Sequence, residues 1–274
     1  MTTFAQRRWR NLALAAFIGG LIWTIDRLYD MSLRDAAFLN GWLLMGGMVF
    51  LAAFNGRKKI YGLPALPLSA WLQAHIYVGC LCALLFLLHT DFVLPNGTLE
   101  TVLWLLFVAM VASGMLGLLL SRILPHRLSR RGERVIFERI PGYRSQLAHR
   151  AETLAINAVK ETGASIIADF YADELAKYLL RPQSVLGVVL GSHRSERRLR
   201  AKVQELERYL DERGREVLAD LNEIITAKAD LDYQRAMQLI LKSWLFVHIP
   251  LNYGLMLFTI AHIVVVYAFA AGAP

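Results

Sequence analysis

Five stretches of the chain are long and apolar enough to lie across a lipid bilayer, and no other feature restricts its fold so severely. They run approximately over 11–29, 39–54, 70–90, 101–121 and 243–271. A hydrocarbon core of ~30 Å takes roughly 20 apolar residues in helical form. In that medium each backbone N–H and C=O needs a partner inside the protein, which favours helices for runs of this length. The second run is short and draws on flanking residues to reach across. With 56% hydrophobic residues and a mean hydropathy of +0.40, the chain is too apolar for an ordinary soluble domain. The first run has a basic leader, but nothing after Gly20 reads as a small-residue cleavage site before Trp23 and Asp26. It is expected to be a retained helix, not a signal peptide. The expected class is all-α, an integral membrane bundle of five transmembrane helices.

The formal charge of +8 collects at the ends of these runs. Arg7, Arg8 and Arg10 precede the first, Arg57, Lys58 and Lys59 follow the second, and Arg122, Arg127, Arg130 and Arg131 follow the fourth. The opposite loops, 26–35 and 90–100, are balanced or acidic. The positive-inside rule then predicts a cytoplasmic N-terminus, a cytoplasmic 55–69 loop and a C-terminus on the outer side, periplasmic if the membrane is a bacterial inner membrane. Membrane flanks account for the basic excess without nucleic acid as a partner. Three regions follow: 1–121 with helices one to four, 122–242 as a cytoplasmic and mostly helical insertion, and 243–274 with helix five.

Within the insertion, 143–161 and 165–180 are amphipathic, and RPQS (181–184) breaks the chain. A charged helix is expected from Ser195 to about Arg213, with Val203, Leu206 and Leu210 on one side. After Gly214 the stripe continues through Val217, Leu221, Ile224 and Ile225. This predicts a helical hairpin that packs on itself or faces a partner; a solvated spacer is the plainer alternative. His126, His149 and His193 fall on separate helices or turns, and are expected to be surface or structural residues. Cys80 and Cys82, two apart on one helix, point in different directions and are expected to be packing residues. There is no C-x-x-C-H, glycine-rich phosphate loop, zinc cluster or internal repeat, so covalent haem attachment is excluded.

Helix three carries His75 and His89, and helix five carries His248 and His262. Both pairs are fourteen residues apart. Fourteen steps of ~100° fall within about 40° of whole turns, so the two histidines of a helix share a face, roughly 21 Å apart along the axis. The predicted topology makes both helices start inside and end outside. His75 is therefore level with His248, and His89 with His262. One imidazole from each helix at each of two levels is the ligand set of two bis-histidine haems, His75 with His248 and His89 with His262. Bis-histidine iron is saturated, which favours electron transfer over oxygen binding. The absence of an attachment motif points to haem b. The histidines would then face the bundle interior as ligands and not be stranded in lipid.

The two H-x13-H pairs resemble the dihaem four-helix core of the cytochrome b superfamily, which includes the cytochrome b of quinol–cytochrome c reductases and the ferric-reductase-like membrane domains. The resemblance covers helices two to five and implies His75, His89, His248 and His262 as axial ligands. Helix one and the 122–242 insertion lie outside it. P-E-W-Y, the sequence of the quinol-oxidation site, occurs nowhere in the chain, and no flavin or nicotinamide domain is expected after Ala271.

Glycines let a helix backbone approach a flat porphyrin: Gly79 lies one turn beyond His75, and Gly254 lies between His248 and His262. Gly41, Gly46, Gly47, Gly114 and Gly117 are further close-packing positions. Pro250 is expected to kink helix five. Arg57, Lys58, Lys59, Arg122 and Lys242 inside, and Arg27 and Arg34 outside, stand near haem-propionate height or serve as topology anchors. Trp71, Trp104, Trp244 and Tyr61 fall at interfacial depth. The functional expectation is an electron-transfer subunit of a membrane oxidoreductase, working between a quinone or quinol and a partner such as a periplasmic c-type cytochrome or iron–sulfur protein. The alternative is a non-haem transporter or channel that passes protons or metal ions along the histidines. Between the histidine levels it finds only Tyr77, Asn252, Tyr253 and Thr259, and no carboxylate.

Overall fold

The computed structural model describes residues 4–32, 36–56, 67–128, 135–162 and 165–270. Every regular element among them is helical. The chain forms α1 (Phe4–Met31), α2 (Ala36–Gly56), α3 (Leu68–His89), α4 (Thr98–Leu128), α5 (Ile140–Thr162), α6 (Ser165–Phe170), α7 (Ala176–Leu180), α8 (Val185–Val189), α9 (Arg194–Leu206) and α10 (Glu212–Ala270). A π-helical turn, Tyr171–Leu175, joins α6 to α7, and short 3-10 turns precede α5 and follow α9. Among the described residues α1, α2, α3, α4 and α10 are the five helices long and apolar enough to cross a membrane. Arg34, Arg57, Lys58, Lys59, Tyr61, Arg130 and Arg131 lie outside the described residues.

Two compact units result, one of Met1–Leu118 with Leu245–Pro274 and one of Leu119–Trp244. In the first, α2 and α3 make the most extensive pairing, and small residues allow it. A Cβ on Gly47 would lie 2.5 Å from the Cys82 sulfur, so only glycine lets the two backbones come this near. Leu44, Met48, Cys82, Leu85, Phe107 and Leu255 form the buried centre. The rings of Phe86 and Phe107 stack there with centroids 4.0 Å apart. Both cysteines are free thiols. The C-terminal end of α3 closes in a Schellman motif: Phe92 N–H donates to Leu87 C=O and Asp91 N–H to Leu88 C=O, with Asp91 in the left-handed region at φ 48°. This stops the helix directly after His89.

α1 packs on α2 and α3 but leaves most of its surface uncovered, with 6% of its apolar window buried. Two polar pairs tie it down. Asn11 Nδ2 donates to Gln73 Oε1 of α3 at 3.0 Å, and Asn40 Nδ2 of α2 donates to the Asp26 carboxylate at 2.6 Å. Asp26 and Asn40 are both buried.

The second unit has its own core, built from Ala151, Ala155 and Ala158 of α5, Ile167 and Phe170 of α6, Leu179 of α7, Leu199 and Val203 of α9, and Leu218, Leu221 and Ile225 of α10. The two apolar stripes expected for a hairpin therefore pack within this unit. The turn of that hairpin lies earlier than expected, over 207–211, where Leu210 is extended. Asp211 caps the next helix by accepting from the Gly214 N–H at 2.9 Å. Gly214 thus sits in the first turn of α10, and no residue after it interrupts the helix before the apolar run. The fifth span is accordingly not a separate element beginning at 243 but the continuation of one 59-residue helix, with Pro250 inside it.

A buried ion pair closes the RPQS break between α7 and α8. Lys228 Nζ lies 2.6 Å from Asp232 Oδ2, with side-chain exposures of 0% and 2%. The ammonium also donates to Arg181 C=O at 3.0 Å and stands 3.8 Å above the Tyr178 ring. Asp232 accepts from Gln183 N–H at 3.2 Å. The pair so satisfies the backbone of the turn that the helices leave open. Burial pushes the Lys228 ammonium below the ordinary lysine range, against the pull of Asp232. The unfolded chain holds this proton more tightly than the folded one, so the group makes stability rise with pH through the window below the ordinary lysine value.

Lys228→Met should destabilise the protein by about 3–5 kcal/mol by leaving Asp232 charged and buried alone, whereas Lys228→Met with Asp232→Leu should recover most of that loss. Thermal unfolding of the detergent-solubilised chain measures both. Gly47→Ala should cost about 1–3 kcal/mol through overpacking against Cys82, and adding Cys82→Ala should return the melting point toward that of Cys82→Ala alone.

Candidate histidine site

α3 and α10 each present two histidines, and all four are half-buried. The rings of His89 and His262 stand with centroids 6.3 Å apart and planes at 89°. At the other level His75 lies within electrostatic reach of His248. The later histidines of the two helices stand near each other and the earlier ones within electrostatic reach, so the two helices run parallel along this face.

What holds each ring decides what its nitrogens can do. His89 Nδ1 lies 2.8 Å from Ala37 C=O on α2. A carbonyl cannot donate, so Nδ1 carries the proton and Nε2 presents its lone pair on the opposite edge. His248 Nδ1 is engaged by Ser113 Oγ of α4 at 3.0 Å. Bonding of one ring nitrogen to a carbonyl or hydroxyl is the usual way to fix the orientation of a metal-ligating imidazole. His75 differs: its Nδ1 is buried with no hydrogen-bond partner, and the Phe54 ring stands 5.1 Å away. An unpaired buried ring nitrogen is costly, and a ligand would relieve it only if the imidazole were turned.

His89 and His262 also line one cavity of about 400 Å³. Its wall is largely apolar, including Phe86, Phe107 and Leu255, with Trp104 at its rim and Glu100 as its one carboxylate. An apolar cleft of this size with few polar groups is the usual form of a cofactor site. The ring spacing fits an atom held between them. A first-row metal bonds imidazole nitrogen at about 2.0–2.1 Å and the ring centre lies about 1.1 Å behind that nitrogen, so two imidazoles on opposite sides of one ion have centroids roughly 6.3 Å apart. Among the described residues no group of three or more His, Cys, Asp and Glu gathers as a metal site.

The glycines divide into two kinds. A Cβ on Gly41 would lie 3.0 Å from His89 Cε1, so this glycine gives the imidazole its place against α2. At Gly79, Gly254, Gly46 and Gly114 a Cβ would meet nothing within 4 Å. Gly79 and Gly254 thus face open space on the two histidine-bearing helices.

Other sequence candidates are placed elsewhere. Lys242 pairs with Glu138 at 2.6 Å and stands over the Phe137 ring. Arg27 lies over the Trp23 ring of its own helix, and Arg122 is exposed. Trp71 stacks on Phe50. His149 and His193 pair with Glu152 and Glu196 on their own helical turns, as surface histidines do. A hydrogen-bonded relay gains little support: Thr259 donates to Leu255 C=O of its own helix, and Tyr253 is 60% exposed.

Three partners were not singled out from the sequence. Ser113 had a signal, being the only hydroxyl in the interior of the fourth apolar run. Ala37 acts through its carbonyl, which no side-chain pattern reveals, and Asp26 finds Asn40 only in three dimensions. Comparison with family models, curated proteins and solved structures returns no match.

Proposed function

We propose that this chain is a membrane-embedded b-type cytochrome subunit with two haems, moving electrons across the bilayer between a quinone or quinol and a redox partner. The observation that carries the proposal is the His89–His262 pair: 6.3 Å between ring centroids, planes nearly perpendicular, and both rings on the wall of one apolar cavity. His89 and His262 would hold the outer haem b, and His75 with His248 the inner one. The haems, when bound, would supply one-electron storage at two depths, since six-coordinate bis-histidine iron leaves no position for oxygen.

The chain's own residues orient and insulate. Ala37 C=O and Ser113 Oγ hold the Nδ1 edges of His89 and His248, leaving Nε2 of each as the nitrogen that would bind iron. Gly79 and Gly254 leave room beside α3 and α10 for a flat group, and Gly41 lets His89 lie against α2. The stacked Phe86 and Phe107 rings close the inner end of the outer cavity with apolar surface. With the positive-inside orientation the outer level faces the periplasm of a bacterial inner membrane. A c-type cytochrome or iron–sulfur protein suits the partner role there, while a quinone reaches the site through the lipid.

A dithionite-reduced minus oxidised spectrum of the purified chain, with pyridine haemochrome quantitation, should show two low-spin, non-covalent haems per chain. No haem in folded protein made with ample haem supply overturns the proposal. His89→Ala, His262→Ala and the double variant should each lose the same single haem, and His75→Ala and His248→Ala the other. Gly41→Val should displace the His89 ring and abolish one low-spin signature while the second persists.

A further inference from the structure

The five-residue helix α8 is an exposed apolar knob in the second unit. Leu186 and Leu190 are 75% and 82% exposed, Leu180 at the end of α7 67%, and Val189 42%. The knob is well built. Ser184 Oγ accepts from Gly187 N–H at its start. At its end Ser192 N–H donates to Gly187 C=O and Gly191 N–H to Val188 C=O, with Gly191 at φ 71°, so a Schellman motif closes it. One side chain, Val188, points the other way and is buried in a cluster with Leu124 of α4 and Ala236 and Met237 of α10. Four large apolar groups are thus held in water by a rigid frame, where isolated exposure of this kind marks an interaction surface.

The chain indicates what covers them. Leu124 comes three residues after the apolar run 101–121, and Met237 comes six residues before the run that starts at 243. At 1.5 Å per residue these are roughly 4.5 and 9 Å of helix, comparable to the roughly 5–7 Å headgroup layer on each side of the hydrocarbon. α8 therefore packs on those parts of α4 and α10 that directly adjoin the two apolar runs in sequence. The charge around it agrees: between Glu174 and Glu196 the chain has no carboxylate but carries Lys177, Arg181 and Arg194, all exposed. Apolar side chains flanked by cations suit the anionic cytoplasmic leaflet.

We propose that α8 rests in the headgroup layer of the membrane that its own chain spans, with Leu186, Val189 and Leu190 inserted among anionic lipids. This is independent of the haem proposal. The test uses the full chain, one copy per nanodisc, in a Cys80→Ala background; Cys82 is buried. A bimane label is placed at Leu190→Cys, at Leu186→Cys, or at Glu212→Cys, which lies roughly 46 Å along α10 from residue 243. With lipid carrying a nitroxide near the headgroup, fluorescence at 190 and 186 should fall about twofold or more, as insertion of ~5–10 Å implies, while 212 stays unquenched. Adding phosphatidylglycerol to phosphatidylcholine discs should deepen the quenching, and salt should reverse that gain. Equal quenching at 190, 186 and 212 overturns the proposal. Labels shielded from aqueous iodide yet unquenched by lipid also overturn it, since a protein surface would then cover the knob. Quenching that ignores phosphatidylglycerol overturns the anionic preference.

Discussion

A polar side chain within hydrocarbon depth has no water to fall back on, so it must be given a partner by another helix. Most of the described polar contacts between the five long apolar helices fit this one requirement. His89 is placed by a backbone carbonyl of α2, His248 by a hydroxyl of α4, and Asp26 by the amide of Asn40. Apolar packing brings the helices together, but these directional contacts select which faces meet. The histidine face is the one on which the requirement is met only in part, because the His75 Nδ1 is left over.

The second unit meets a similar requirement by different means. There Lys228 and Asp232 bury opposite charges in direct contact and use their remaining capacity on the backbone of the RPQS turn. Such a pair is self-contained: each charge finds its partner within the chain. The histidines are held differently, by neighbours on other helices: His89 by the Ala37 carbonyl of α2 and His248 by the Ser113 hydroxyl of α4.

The sequence made the helices legible because apolar run length is a one-dimensional property. Five such helices form, and the stripes of Val203, Leu206, Leu221 and Ile225 are buried as their spacing implies. The shared spacing of the histidine pairs was legible for the same reason, since helical periodicity converts residue counts into faces and heights. What escaped was whatever depends on continuity or on the backbone. Gly214 reads as a breaker, yet it lies inside a capped first turn, so α10 runs unbroken for 59 residues. The partner of Lys242 escaped as well, since Glu138 lies about a hundred residues away in sequence. The roles of Gly41 and Gly47 differ although both are helix glycines, because one faces an imidazole and the other a sulfur.

α1 has a consequence of its own. Lipid tails attract an apolar helix as well as another helix does, so area alone gives α1 little reason to stay. Two of its polar attachments are Asn11 to Gln73 and Asp26 to Asn40, fifteen residues apart on α1 and so roughly 22 Å apart along its axis. Two fixed points at that separation act as a key with two teeth: sliding α1 by one residue, or turning it by one position, disengages both together. The helix is thus either seated in a single register or detached, and it suits a late step of assembly in which a finished bundle accepts one more span.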